Sequence, residues 1–144
     1  MSSRSKILLL LQFLCFAYFA FFSKVFASGG FLLVQLLGIA LGIWSVISMG
    51  LGNFNAQPEV KTGARLVRKG PYALIRNPMY TSLLLFFASG LSNEFHWTGL
   101  AVLVLLSVVF AIKIRDEEKF LLSRFGVIYS EYKESTYRIL PYIF

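Results

Sequence analysis

The sequence predicts an all-α integral membrane protein with four transmembrane helices and a helical C-terminal tail. Three observations carry that prediction: the composition, the length of the uncharged stretches and the placement of the basic residues. Of the 144 residues, 57% are hydrophobic and 15% charged, where a soluble domain is about 45 to 50% apolar and about 25% charged. Such a chain is too apolar for disorder and too poor in charge to clothe a soluble core. Its length suits one domain over residues 1–144. The lone cysteine, Cys15, excludes an intrachain disulfide and a cysteine metal site.

Residues 7–23 carry no charge, and after Lys24 the chain runs uncharged from 25 to 58. A bilayer core about 30 Å thick takes about 20 helical residues, so the second run is too long for one span. Ser28-Gly29-Gly30, close to Lys24, divides it and predicts helices over 7–27 and 31–52. Two further uncharged runs predict helices over 78–92 and 97–112, with Asn93, Glu94 and His96 in the turn between them. Both are short for a span, which flanking residues or a locally thin bilayer would accommodate. Gly38, Gly42 and Gly50 permit close packing of the second helix. Cys15 reads as a small packing residue and His96 as a hydrated loop residue.

The net charge of +7 would by itself suit nucleic acid. Its placement argues otherwise. With four spans, 13 of the 14 basic residues fall on one side: Arg4 and Lys6, the five between the second and third spans, and the six after the fourth. The positive-inside rule then puts both termini and the 53–77 loop in the cytoplasm, in an inner or plasma membrane, with no nucleic-acid or metal partner expected. Val25-Phe26-Ala27 ahead of Ser28 also resembles a signal-peptide cleavage site, although the apolar stretch exceeds the usual h-region of about 7 to 15 residues. Cleavage there would leave the other spans oriented alike.

The two polar segments, 53–77 and the tail from Lys113, share that face and can meet. Gly70-Pro71 signals a turn, and Asn77-Pro78 reads as an N-cap followed by proline at the first helical position. Such a helix start also offers N–H groups and a partial positive charge to an anion. Lys113-Ile114-Arg115-Asp116-Glu117-Glu118 follows the last apolar run directly, and ionisable groups near a membrane are costly unless paired, hydrated or engaged with a ligand. Glu118, Leu121, Leu122, Phe125, Tyr129 and Tyr132 then recur at helical spacing, with an interruption expected at Gly126.

Together these segments resemble the isoprenylcysteine carboxyl methyltransferase family and its phospholipid methyltransferase relatives. The resemblance rests on Gly70-Pro71-Tyr72, Arg76-Asn77-Pro78-Met79-Tyr80, Glu117-Glu118, Phe125-Gly126, Tyr129, Tyr132, Arg138 and Pro141, in order, over residues 53–144. It implies S-adenosylmethionine as cofactor, contacted by Gln57, Leu66, Val67, Tyr72, Asn77, Pro78, Met79, Tyr80 and Glu117, with residues 53–144 as the methyltransferase core and 1–52 as a helical scaffold pair. Lys113 and Arg115 match the region where the family binds its acceptor. The sequence departs in having Asn77 where the best-known members have histidine, and Thr81-Ser82 where a glycine often follows the tyrosine.

The expected activity is methyl transfer to a lipidic or prenylated acceptor in the bilayer. In-line displacement at a sulfonium needs reactants held close and water kept away. A carboxylate acceptor needs a cationic guide, for which Arg115 is the first choice and Lys113 the second. An amine acceptor needs a base such as Glu118 or Tyr132. Two cations beside the Glu pair favour the carboxylate. The alternatives are an NADPH-dependent membrane reductase related to the sterol reductases, whose 2′-phosphate the loop's basic residues would hold, and a non-catalytic membrane scaffold.

Overall fold

The computed structural model describes residues 3–50 and 65–142. Among these residues five α-helices follow one another: α1 (Ser3–Phe22), α2 (Gly30–Met49), α3 (Pro78–Asn93), α4 (Trp97–Phe125) and α5 (Val127–Glu134), with a 3-10 turn at Gly70–Ala73. Among the described residues β-type pairing is confined to one parallel bridge between Ile75 and Tyr137. The all-helical class is therefore as expected. Three helices, α1, α2 and α4, are long and apolar enough to cross a membrane. The 16 residues of α3 reach only about 24 Å at about 1.5 Å per residue, short of a full hydrocarbon core.

The first helix starts at Ser3 rather than 7 and the second ends at Met49 rather than 52; two larger shifts have a local reason. The first helix ends at Phe22 rather than near 27, because the chain turns over 23–29 and its polar groups are taken by Gln35. The Gln35 side chain is fully buried in α2. Its Oε1 accepts from the Ala27 N–H at 2.8 Å, and its Nε2 donates to the carbonyls of Val25 at 2.7 Å and Phe86 at 3.2 Å. The fourth helix does not stop at 112 but continues to Phe125, 29 residues in all, about 43 Å long. Lys113 to Glu118 thus extend the apolar helix without a break. Gly126, at φ 54°, ends it, and its N–H closes on the Leu122 carbonyl at 2.9 Å. Gly50, at φ 75°, ends α2 in the same way.

The helices pack as α1 on α4, α4 on α3 and α3 on α2. Cys15, Leu106 and Phe110 form the buried centre, covered by Phe16, Tyr80, Leu83, Leu84, Phe87 and Val102. Phe16 and Phe19 stack on Phe87 with centroids 5.1 and 4.7 Å apart. On the other side of α3, Gly38 and Gly42 bring α2 close: a Cβ on Gly42 would meet Ser82 Oγ at 2.9 Å. Leu10, Phe13 and Phe21 of α1, Leu33, Leu37 and Ile47 of α2, and Val104 and Val108 of α4 point outward. So extensive an apolar exterior suits hydrocarbon rather than water.

The two ends of the bundle are polar. At one, Lys24 pairs with Glu94, and His96 lies between the Glu94 carbonyl at 2.8 Å and Ser23 Oγ at 3.4 Å. His96 is therefore part of a bonded corner that joins two turns. At the other end, Arg4 pairs with Asp116 at 3.3 Å, and the loop before α3 meets the tail. Replacing Gln35 with Leu removes three side-chain hydrogen bonds and leaves the buried Ala27 N–H without its partner, so Gln35→Leu is expected to lower unfolding stability by roughly 1 to 3 kcal/mol, measured by thermal denaturation in detergent.

Candidate functional site

The site begins with the turn at Gly70. Gly70 adopts φ 60°, and a side chain there would collide with Ser48 and Trp44 of α2, so the turn is seated on that helix. Pro71 and Tyr72 follow, both buried. The Tyr72 carbonyl accepts the Tyr132 hydroxyl at 2.7 Å, which joins the turn to α5. The Tyr72 hydroxyl itself is buried and has no hydrogen-bond partner among the described residues.

From Leu74 to Thr81 the chain is laced to the tail. The Tyr137 N–H donates to the Leu74 carbonyl at 2.9 Å, and the Arg76 N–H returns to the Tyr137 carbonyl at 2.7 Å. Asn77 occupies the N-cap position, as expected, but no side chain caps α3. Its amide instead donates to the Arg138 carbonyl at 2.9 Å, and the Thr81 hydroxyl to the Ile139 carbonyl at 2.8 Å. The residue that would ordinarily cap its own helix therefore holds the tail across the start of α3.

Ionic contacts reinforce the lacing. The Glu118 carboxylate, with only 8% of its side chain exposed, receives Arg76 Nε at 3.3 Å, Arg138 Nη2 at 3.0 Å and Lys133 Nζ at 3.7 Å. Arg76 also donates to the Lys133 carbonyl at 2.9 Å and to the carbonyl of Thr136. Glu118 is thereby tied to both the loop and the tail.

One residue earlier, Glu117 is rotated about 100° around α4 and accepts the Tyr80 hydroxyl at 2.5 Å. Lys113 lies one turn before Glu117 on the same face, almost wholly buried. Its Nζ donates to Gln12 Oε1 of α1 at 2.6 Å and sits 5.6 Å from the centre of the Tyr80 ring. Tyr72 lies near enough to Glu117 that, after burial and Tyr132, the carboxylate adds to the raising of its phenol. Tyr72, Tyr80, Lys113 and Glu117 thus form one cluster of aromatic faces, an ammonium and a carboxylate.

Of the residues singled out from the sequence, Tyr72, Asn77, Pro78, Met79, Tyr80 and Glu117 are gathered where the loop, α3 and α4 meet. Leu66 and Val67, half-buried, precede the turn. Gln57 lies outside the described residues. Lys113 joins the cluster, whereas Arg115, two positions on and exposed, faces away from it. Glu118 is held among three cations. Gln12 escaped sequence reasoning; its signal was a lone amide within an otherwise apolar span. No group of acidic, cysteine or histidine side chains suited to a metal ion occurs among the described residues.

The model of the phospholipid methyltransferase family matches residues 25–127. The chain belongs to the phospholipid methyltransferase family. No curated protein matches the sequence. Among solved structures, this family member is similar to the eukaryotic intramembrane Ras methyltransferase, isoprenylcysteine carboxyl methyltransferase. The TM-score is 0.69 at 26% identity, over 99% of the present chain and 53% of the other. The chain thus spans about half the length of that enzyme. With its apolar helices, the likeness identifies a membrane protein.

Burial raises the phenols of Tyr72 and Tyr129 above the usual tyrosine range. Burial likewise pushes Tyr132 up to about 12, against the lowering influence of Arg76 and Arg68. A raised folded pKa contributes stability that is whole below the unfolded value of 10.0 and lost as pH climbs through about 12. Alkaline unfolding of this phospholipid methyltransferase relative should begin in that window, and Tyr132→Phe should flatten the pH dependence of the unfolding midpoint there. Glu118→Gln, which removes the charge shared by three cations, is expected to cost roughly 3 kcal/mol. It should also speed amide exchange in the tail, read by hydrogen exchange with mass spectrometry.

Proposed function

We propose that the protein is an S-adenosylmethionine-dependent methyltransferase that works within the membrane on a lipidic or prenylated acceptor, a carboxylate being favoured. The observation that carries this reading is the buried, unpartnered Tyr72 hydroxyl beside the Tyr80–Glu117 pair, in a chain of this family. A buried polar atom without a partner costs about 1 to 3 kcal/mol, a cost that a polar ligand would relieve.

The residues fit the proposed cofactor. Glu117 and the faces of Tyr72 and Tyr80 suit a sulfonium cation, with cation-π contacts worth about 0.5 to 2 kcal/mol. The start of α3, which no side chain caps, suits an anionic carboxylate. Leu66, Val67, Pro78 and Met79 provide apolar and backbone surface nearby, and Gln57 completes the proposed set. Bound S-adenosylmethionine would supply an electrophilic methyl group. What the chain adds is alignment and dryness: the laced tail covers the loop and excludes water, and the helices orient the reactants.

Lys113 is placed to guide an anionic acceptor, because it shares the cluster with Tyr80 and Glu117 while Arg115 faces away. A carboxylate acceptor is already nucleophilic and requires no base. Glu118, committed to Arg76, Arg138 and Lys133, acts in this reading as a positioning residue that keeps the tail in place. We further propose four crossings, with α3 as a short one aided by its flanks, and both termini and the loop–tail junction in the cytoplasm. The basic residues at that end of the bundle support this orientation.

Calorimetric titration of S-adenosylmethionine into purified protein should show saturable binding, weakened about 10- to 100-fold by Glu117→Gln and less by Tyr72→Phe. Tritiated methyl groups should pass into a lipid extract. Well-folded protein that fails to bind the cofactor would overturn the proposal; methylation of amine headgroups alone would reassign the acceptor.

A further inference from the structure

The outward face of α4 forms one exposed stripe, Val104, Val108, Ala111, Arg115, Lys119 and Leu122, at steps of three and four residues. Two cations interrupt an apolar surface. Measured from Trp97, exposed at the opposite end of α4 as an interfacial aromatic is, Arg115 lies about 27 Å along the helix and Lys119 about 33 Å, at about 1.5 Å per residue. A hydrocarbon core is about 30 Å thick. The pair therefore straddles the level at which acyl chains give way to headgroups.

Their acidic neighbours are engaged elsewhere. Asp116 pairs with Arg4, Glu117 accepts the Tyr80 hydroxyl, and Glu118 is ringed by Arg76, Lys133 and Arg138. Among the described residues neither Arg115 nor Lys119 has an ion-pair partner. Like charges four residues apart on a helix repel one another, and an anion between them removes the repulsion. On a lipid-facing stripe at this depth, the anion within reach is a lipid phosphate. We propose that Arg115 and Lys119 seat the phosphate of an anionic phospholipid of the surrounding bilayer, such as phosphatidylglycerol, whose acyl chains lie along Val104, Val108 and Ala111. The guanidinium supplies a two-pronged donor and the ammonium a point charge. A zwitterionic lipid carries a cation of its own, which these two repel. The seat faces away from the cluster of Tyr72, Tyr80, Lys113 and Glu117, so its occupant is a bound annular lipid and not the methyl acceptor.

The test is native mass spectrometry of the full chain in detergent, titrated with phosphatidylglycerol or with phosphatidylcholine of the same acyl chains. Wild-type protein is expected to bind its first phosphatidylglycerol about fivefold or more tightly than its first phosphatidylcholine. Arg115→Gln combined with Lys119→Gln should abolish that preference without weakening phosphatidylcholine. Each single variant should lose part of it, and serves if the double variant fails to fold. Lys69→Gln, which removes the same charge from an exposed position of the loop, should leave the preference intact, as should exchanging the two cations by Arg115→Lys with Lys119→Arg. Inorganic phosphate titrated into the same protein by calorimetry should show no saturable binding. The proposal is overturned if wild type binds the two lipids alike, if the Gln variants keep the preference, or if Lys69→Gln loses as much of it as Lys119→Gln. Phosphate that binds as tightly as phosphatidylglycerol would assign the two cations to a free anion and overturn it too.

Discussion

A carboxylate withdrawn from water must be surrounded by positive charge, and Glu118 satisfies that demand from three places at once. It sits on α4 with Arg76 from the loop and Lys133 and Arg138 from the tail around it. Once those cations are committed, the neighbouring backbone has little choice. Arg76 turns its remaining donors to the carbonyls of Lys133 and Thr136, the Ile75–Tyr137 bridge closes, and Asn77 and Thr81 take the carbonyls of Arg138 and Ile139. Tyr132 then bonds the Tyr72 carbonyl. Removing partners from such a network leaves several buried polar groups unsatisfied, so it holds or fails as a unit.

The clamp gives the adjacent carboxylate a different task. Glu117 and Glu118 are consecutive, yet a helix rotates successive side chains by about 100°, so one faces the cations and the other faces Tyr80. The cluster of Tyr72, Tyr80, Lys113 and Glu117 is polar and lies at the end of a bundle whose outer surface is apolar. That outer surface gains nothing from further protein burial. The helices are held together by packing of Cys15, Phe16 and Phe87, by the close approach at Gly38 and Gly42, and by isolated polar contacts such as those of Gln35, as expected where hydrocarbon replaces water.

Much of this was legible in the residues. Pro78 after Asn77 located the start of α3, since proline lacks the N–H that a helix start leaves unused, and Gly126 located the break before α5 because a positive φ ends a helix readily at glycine. The end of α4 was not legible from charge. Lys113 to Glu118 looked like the start of a separate tail, but helix propagation is indifferent to the change from apolar to polar side chains, and the backbone continued. On sequence grounds Arg115 is the first choice to guide an anionic acceptor and Lys113 the second; their opposite placement follows from which face of α4 is buried. Asn77 suggested a cap, but its Nδ2 donates to the Arg138 carbonyl that the tail brings alongside, and the side chain so oriented makes no capping bond through its oxygen.

The sequence alone determined that the chain is helical, that it belongs in a bilayer, and that its polar groups concentrate in two segments. These follow from the spacing of charge and from local turn chemistry, which act over a few residues. Tertiary structure decided which helices pair, that α1 brings Gln12 to Lys113, and which of two neighbouring glutamates serves the clamp. Those choices depend on the rotation of each helix about its axis, which is settled only when side chains from distant segments compete for the same buried space.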